Sequence, residues 1–339
     1  MRESAVMAVN DFIARADIFG RQRQPFLFLI DFEQQKPLIF PLHEAARHGI
    51  FFEIRGETNR DWQLPLPAEP LRLKTLPIDF ERYLCGFEWV QQQLQAGNTY
   101  LLNLTYPTAL ECNYSLRRIF QLSRAPFKLL WDNRFVCFSP ESFVTTANNK
   151  IYSYPMKGTI DAALPNAEQQ LLASEKEQWE HNTIVDLIRN DLSIVAERIE
   201  VTRLRYVEKL HTERGTILQT SSEICGRLAH DWQNRIGELL WKLLPAGSIS
   251  GAPKEKTVQI IRQAEQGERG YYTGVFGVFD GENLQSAVLI RYLEQTESGL
   301  LFRSGGGITT QSKPDEEYRE LLQKVYIPIV EQDVTPCIR

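Results

Sequence analysis

The chain has 339 residues, 43 % hydrophobic, 24 % charged and 11 % aromatic, a composition that builds a packed core and excludes a disordered polymer. Its formal charge of −5 and pI near 5.7 give no electrostatic reason to expect nucleic acid or an anionic membrane as partner, so an anionic substrate must be met by local positive charge. No apolar run of about 18 residues occurs, and Met1-Arg2-Glu3-Ser4 does not open a leader pattern. The cysteines Cys85, Cys112, Cys137, Cys225 and Cys337 are scattered and odd in number, which argues against a disulfide framework or a structural zinc site. The expectation is a cytoplasmic protein.

The apolar run over 26–32 predicts a buried strand. Pro65, Pro67, Pro70 and Pro77 then mark a linker. Phe80, Tyr83, Leu84, Phe87, Val90 and Leu94 recur at helical spacing, predicting a helix over 80–96 that Gly97 stops. Strands are expected at 99–106, 127–131, 134–138 and 142–146, and one long helix over 166–191. A second strand block starts near 199, followed by helices over 235–244 and 253–266 and three strands across 273–308. The last helix is expected over 315–330, with Pro314 at its entrance. Strands come in runs and do not alternate strictly with helices, so the fold class is α+β.

Two carboxylate pairs stand out on the helices. Glu177 and Glu180, and Glu317 and Glu320, are each spaced i, i+3, which puts both members of a pair on one face. Two such faces brought together would hold Mg²⁺, although a solvated surface is the commoner meaning of the spacing. Lys157, in Pro155-Met-Lys-Gly-Thr159, would serve as a nucleophile if burial or a nearby cation favoured its neutral amine; a surface lysine in a turn is the alternative. Gly158 would admit backbone amides close to an anion, and Ser304-Gly-Gly-Gly-Ile308 reads as a glycine-rich exit from a strand with the same capacity. The small residues of Gly247-Ser-Ile-Ser-Gly-Ala-Pro-Lys254 suggest close packing under a site or an anion-binding helix start, a plain turn being the alternative. His43, His48, His181, His211 and His230 form no metal spacing, and neither a phosphate loop nor a dinucleotide fingerprint is present.

In order along the chain, Phe138-Ser-Pro-Glu-Ser-Phe143, Pro155-Met-Lys-Gly-Thr159, Glu180-His-Asn-Thr-Ile-Val-Asp-Leu-Ile-Arg-Asn-Asp191, Ala246-Gly-Ser-Ile-Ser-Gly-Ala-Pro-Lys254, Gly305-Gly-Gly-Ile308 and Pro314-Asp-Glu-Glu-Tyr-Arg-Glu-Leu-Leu-Gln-Lys324 resemble the chorismate-binding family. Its members include the anthranilate, aminodeoxychorismate, isochorismate and salicylate synthases. The motifs span about 138–324, and a coarser similarity begins near 80. The resemblance implies an anthranilate synthase component I-like fold, two packed antiparallel sheets flanked by helices. It also implies a short N-terminal region, 1–78, packed on a catalytic domain over 79–332, effectively one structural unit. By motif, Glu180 and Glu320 would ligate Mg²⁺ with Glu177 and Glu317 behind them, and Glu141 would protonate the departing ring hydroxyl. Arg291, Lys324 and the amides of Gly158, Thr159, Gly306 and Gly307 would hold the substrate carboxylates.

Lys157 is the mark of the aminodeoxychorismate branch of that family, whose lysine attacks the ring before ammonia displaces it; anthranilate synthases resemble Pro-Ile-Ala-Gly-Thr there. Water-adding members have a basic lysine in an earlier strand, and Asn98-Thr-Tyr-Leu-Leu-Asn-Leu-Thr-Tyr106 has none. Gln219 stands where relatives often have His, which puts a proton-transfer role there in doubt. No tryptophan-binding signature is evident, so feedback by tryptophan is not expected. None of the cysteines sits on the tight small-residue turn a glutaminase needs, so ammonia is expected from a separate glutamine amidotransferase subunit, and formation of 4-aminobenzoate would need another enzyme. The rival readings are anthranilate synthase component I and a catalytically inactive relative that regulates an amidotransferase.

Overall fold

The computed structural model describes residues 7–212 and 215–329. They fall into two compact units that interleave along the chain, exchanging after residues 42, 140, 248, 273 and 288. Each is built on an antiparallel sheet with nine strands among the described residues.

In the first unit the strand order runs Met156–Asp161, Gly215–Arg227, Lys150–Ser153, Ser142–Ala147, Leu284–Val288, Val275–Phe279, Phe26–Ile30, Leu38–Pro41, and Glu197–Thr212 also pairs with Gly215–Arg227. All five residues of Phe26–Ile30 are buried, as are all five of Val275–Phe279 beside it. That is why their sequence is continuously apolar and does not alternate. The helix Glu175–Ser193 packs on the other end of this sheet, against Met156–Asp161, Glu197–Thr212 and Gly215–Arg227.

In the second unit the order is Gly251–Ala252, Leu101–Cys112, Gly299–Ile308, Tyr292–Thr296, Phe135–Ser139, Phe127–Trp131, Ile50–Ile54, Glu57–Thr58, with Leu73–Leu76 also on Leu101–Cys112. The helix Phe80–Gln95 buries Tyr83, Gly86, Phe87, Val90 and Leu94, the stripe that its spacing predicted. The helix Pro314–Gln323 packs against Gly299–Ile308.

The structure corrects several expected elements. The helix over 166–191 is two helices, Ala167–Ala173 and Glu175–Ser193. Ser174 between them is extended, and its hydroxyl accepts from the Glu177 amide at 3.3 Å; Ser174-x-x-Glu177 is a helix-start signature inside a run that otherwise reads as helical. Four strands occupy 273–308, because the chain breaks at 289–291, where Arg291 adopts φ +53°. The glycines 305–307 lie inside Gly299–Ile308, not at its exit, and Lys157-Gly158 lies inside Met156–Asp161, not in a turn. Part of the expected linker is the strand Leu73–Leu76. The last helix ends at Gln323, and Val325, Ile327 and Ile329 alternate into an apolar cluster with Phe120, Val136 and Phe302. Cys337, the tail of that expected helix at 330 and the expected domain end at 332 lie outside the described residues.

Candidate active site

The first unit gathers Lys157, Gly158, Glu177 and Glu180. Met156–Asp161 pairs with Gly215–Arg227, and its register shifts between Lys157 and Thr159, which oppose Thr220 and Gln219. Gly158 sits in this bulge at φ +75°, a conformation that other residues rarely adopt. Thr220 Oγ1 donates to the Lys157 carbonyl and holds the distorted strand. The missing side chain matters as much as the torsion: a Cβ on Gly158 would lie 2.8 Å from Glu177 Oε2. Lys157 Nζ stands 3.7 Å from Glu180 Oε2, with both side chains largely but not fully shielded.

His181, the next residue on that helix, is fully buried, and its Nε2 lies 2.6 Å from Ser222 Oγ. Burial first, then the charges of Arg205 and Lys157, push its pKa down to about 4. The ring is therefore neutral near pH 7 and adds no positive charge behind Lys157.

Glu141 stands at the start of Ser142–Ala147, where its carbonyl accepts from the Val288 amide at 3.2 Å. Ser248 Oγ donates to its Oε1 at 2.5 Å. Both residues line a small pocket that Tyr154 and Asp191 also line.

The second unit repeats the first pattern with different residues. Glu317, in the opening turn of Pro314–Gln323, is buried and accepts from Ser312 Oγ at 2.7 Å. Glu320 pairs with Lys324, Oε1 to Nζ 2.6 Å. A Cβ on Gly306 would lie 3.3 Å from Glu317 Oε2 and 3.4 Å from Glu320 Oε1. In each unit, then, a first-turn glutamate faces a strand glycine, and the glutamate three residues on meets a lysine. The first-turn position suits a carboxylate, because the helix N-terminus is its positive end.

Ladder parity decides which glycine amides face outward in Gly299–Ile308. The Thr105 amide goes to Glu265 Oε1 at 2.8 Å, the Asn103 carbonyl takes Arg269 Nη2 at 2.6 Å, and the Gly305 carbonyl takes Lys324 Nζ at 2.8 Å. The pairs Gly305–Thr105 and Gly307–Asn103 are therefore the wide ones, and Gly306 exchanges its bonds with Leu104. Beyond Arg303 the pairing with Tyr292–Thr296 ends, so the amides of Gly305 and Gly307 point away from Leu101–Cys112, toward the side from which Lys324 reaches Gly305. Gly306 faces Leu104 in this register, and its missing side chain leaves room for Glu317 and Glu320. Arg291 lies 5.5 Å from the Tyr326 ring, its carbonyl bonded to the Phe138 amide.

Among the described residues no three His, Cys, Asp or Glu side chains are grouped closely enough to form a ready-made metal site. Each unit offers a pair. No described helix is long and apolar enough to cross a membrane.

These motifs, on this fold, match a known profile: the family described as chorismate binding enzyme aligns with residues 57–329. The chain belongs to the chorismate-binding enzyme family. A PabA-like protein of Pasteurella multocida is 62 % identical to it over 323 residues, 95 % of this chain and 100 % of that one. The aminodeoxychorismate synthase component 1 of Escherichia coli is 30 % identical over 309 residues, 83 % of this chain and 66 % of that protein. The menaquinone-specific isochorismate synthase of Escherichia coli superposes with a TM-score of 0.70 at 17 % identity, covering 93 % of this chain and 80 % of that one; at such identity the likeness speaks for the fold alone. The α+β architecture with two antiparallel sheets is that of the chorismate-binding enzymes.

Sequence reasoning gave no role to Ser248, Ser312 or Thr220, and named Gly305 only as part of a glycine run. Ser248 lay in a segment marked only by its small residues, and Ser312 precedes its helix as one more loop serine. Gly305 differs from Gly306 only by strand parity, which glycines do not display because they have no side chain to alternate.

Proposed function

We propose that this chorismate-binding enzyme aminates chorismate to 4-amino-4-deoxychorismate, with ammonia delivered by a separate glutamine amidotransferase subunit, as a step toward 4-aminobenzoate and folate. The observation that supports this most is Lys157 on its bulged strand, 3.7 Å from Glu180. The resemblance of the Pro155–Thr159 motif to the aminodeoxychorismate branch and the 30 % identity to a protein named for that activity point the same way.

In this reading Glu180 and Glu320 are the Mg²⁺ ligands, with Glu177 and Glu317 behind them. The donor set fits: all four supply hard carboxylate oxygens, three of them set against glycines whose side chains would crowd them, and Mg²⁺ keeps water and substrate oxygens in the rest of its shell. When bound, the ion supplies Lewis-acid polarisation of the ring carboxylate. Lys157 attacks the ring while Glu141 gives its proton to the departing hydroxyl, which leaves as water; ammonia then displaces the lysine and enters at carbon 4. Lys324, Arg291 and the outward amides of Gly305 and Gly307 bind the carboxylates, and the Gly158-Thr159 amides lie at the bulge beside Lys157.

Chorismate consumption should require both ammonium and Mg²⁺ and stop when the metal is chelated. Consumption that proceeds without ammonium, with water as the nucleophile, would sink the proposal.

A further inference from the structure

The turn that carries Ser248 is held unusually close to its neighbours. A Cβ on Gly247 would lie 2.7 Å from Asp191 Oδ2 and 3.1 Å from Leu187 Cγ, so the absent side chain lets Gly247 and Ser248 sit close against the helix Glu175–Ser193. That approach brings the next residue's hydroxyl to Glu141, where Ser248 Oγ donates to Oε1 at 2.5 Å. The other end of Glu141 is fixed as well, its carbonyl bonded to the Val288 amide at the edge of Leu284–Val288.

We infer that Ser248 is a positioning residue for Glu141, its bond to Oε1 fixing the orientation in which the carboxyl group delivers its proton. This rests on the role of Glu141 proposed above. During the reaction the O–H bond of the carboxyl group breaks and the departing hydroxyl leaves as water. The carboxylate that remains accepts the Ser248 bond more strongly, since a charged acceptor strengthens it. The proton shed by the attacking nitrogen balances the cycle and recharges the carboxyl group.

A hydroxyl that donates to a carboxylate favours its charged form. Removing it makes Glu141 hold its proton to higher pH, so the limb on which activity falls with rising pH moves upward. Loss of a hydrogen bond to a charged group corresponds to about tenfold in rate. The test compares Ser248→Ala, Ser248→Thr, Glu141→Gln and the double variant Ser248→Ala/Glu141→Gln in steady-state kinetics with chorismate, ammonium and Mg²⁺. Ser248→Ala should lower kcat about tenfold, leave KM for chorismate within about twofold and shift the descending limb to higher pH. Ser248→Thr, which keeps the hydroxyl, should restore kcat to within about threefold of wild type. In the Glu141→Gln background Ser248→Ala should add no further loss, because coupled residues are not additive. An equal loss in both backgrounds, an effect confined to KM, or an unmoved pH limb overturns the inference. A fully active Glu141→Gln overturns the acid assignment itself, whereas an impaired Glu141→Gln beside a wild-type Ser248→Ala overturns only the role of Ser248.

Discussion

Lys157 and Lys324 each rest on a glutamate to which the proposed reaction assigns a metal ligand's role. A carboxylate that meets an ammonium group in the protein alone is already poised for positive charge, and a divalent ion competes for it. Glu180→Gln or Glu320→Gln deletes one anionic oxygen and keeps the size, so each should lower activity by roughly 100-fold at limiting Mg²⁺, with partial recovery at high Mg²⁺. Near wild-type rates at limiting metal in both variants would remove these assignments. Lys157→Ala should abolish any covalent adduct of protein and substrate seen by intact-protein mass spectrometry and slow turnover by roughly 100-fold or more. An adduct that persists in the variant leaves Lys157 with a binding role only. At this scale the sequence named most of these residues through motif resemblance, since Glu-x-x-Glu spacing alone describes any solvated helix. It missed Ser248 because a serine among small residues looks like packing until its partner is seen.

Helix and strand ends account for most differences between expectation and structure. The periodicity over 166–191 is continuous, so only the Ser174 cap betrays the break that sets Glu177 in a first turn. Val325, Ile327 and Ile329 sit two apart, a strand-like period that extends an apparent helix past its end. The bulge at Gly158 was legible only as a glycine. It makes a sharp expectation: Gly158→Ala meets both a φ of +75° and Glu177 Oε2 at 2.8 Å. The glutamate is a flexible side chain on an otherwise intact helix, so the expected result is a folded protein with Glu177 displaced. Activity should fall at least tenfold, while the strain in the alanine residue lowers stability by about 1 kcal/mol. Circular dichroism and urea unfolding separate the two effects. A variant as active as wild type would mean that the glycine serves the strand and not the glutamate.

The family and fold class of the whole molecule were more legible than its construction. Strands in runs gave α+β, and the chorismate-binding profile over 57–329 agrees with the ordered motifs. The interleaving of two units was hidden, because a chain that crosses between sheets after residues 42, 140, 248, 273 and 288 leaves no compositional seam. The branch of the family is the point on which the account stands. Fold cannot choose it, since an isochorismate synthase that superposes with a TM-score of 0.70 shares the same architecture. The deciding measurement supplies the purified protein with chorismate, Mg²⁺ and nitrogen-15 ammonium and locates the label in the product by nuclear magnetic resonance. The account predicts nitrogen on carbon 4 with the enolpyruvyl side chain retained. Nitrogen on carbon 2, with anthranilate and pyruvate released, would contradict it.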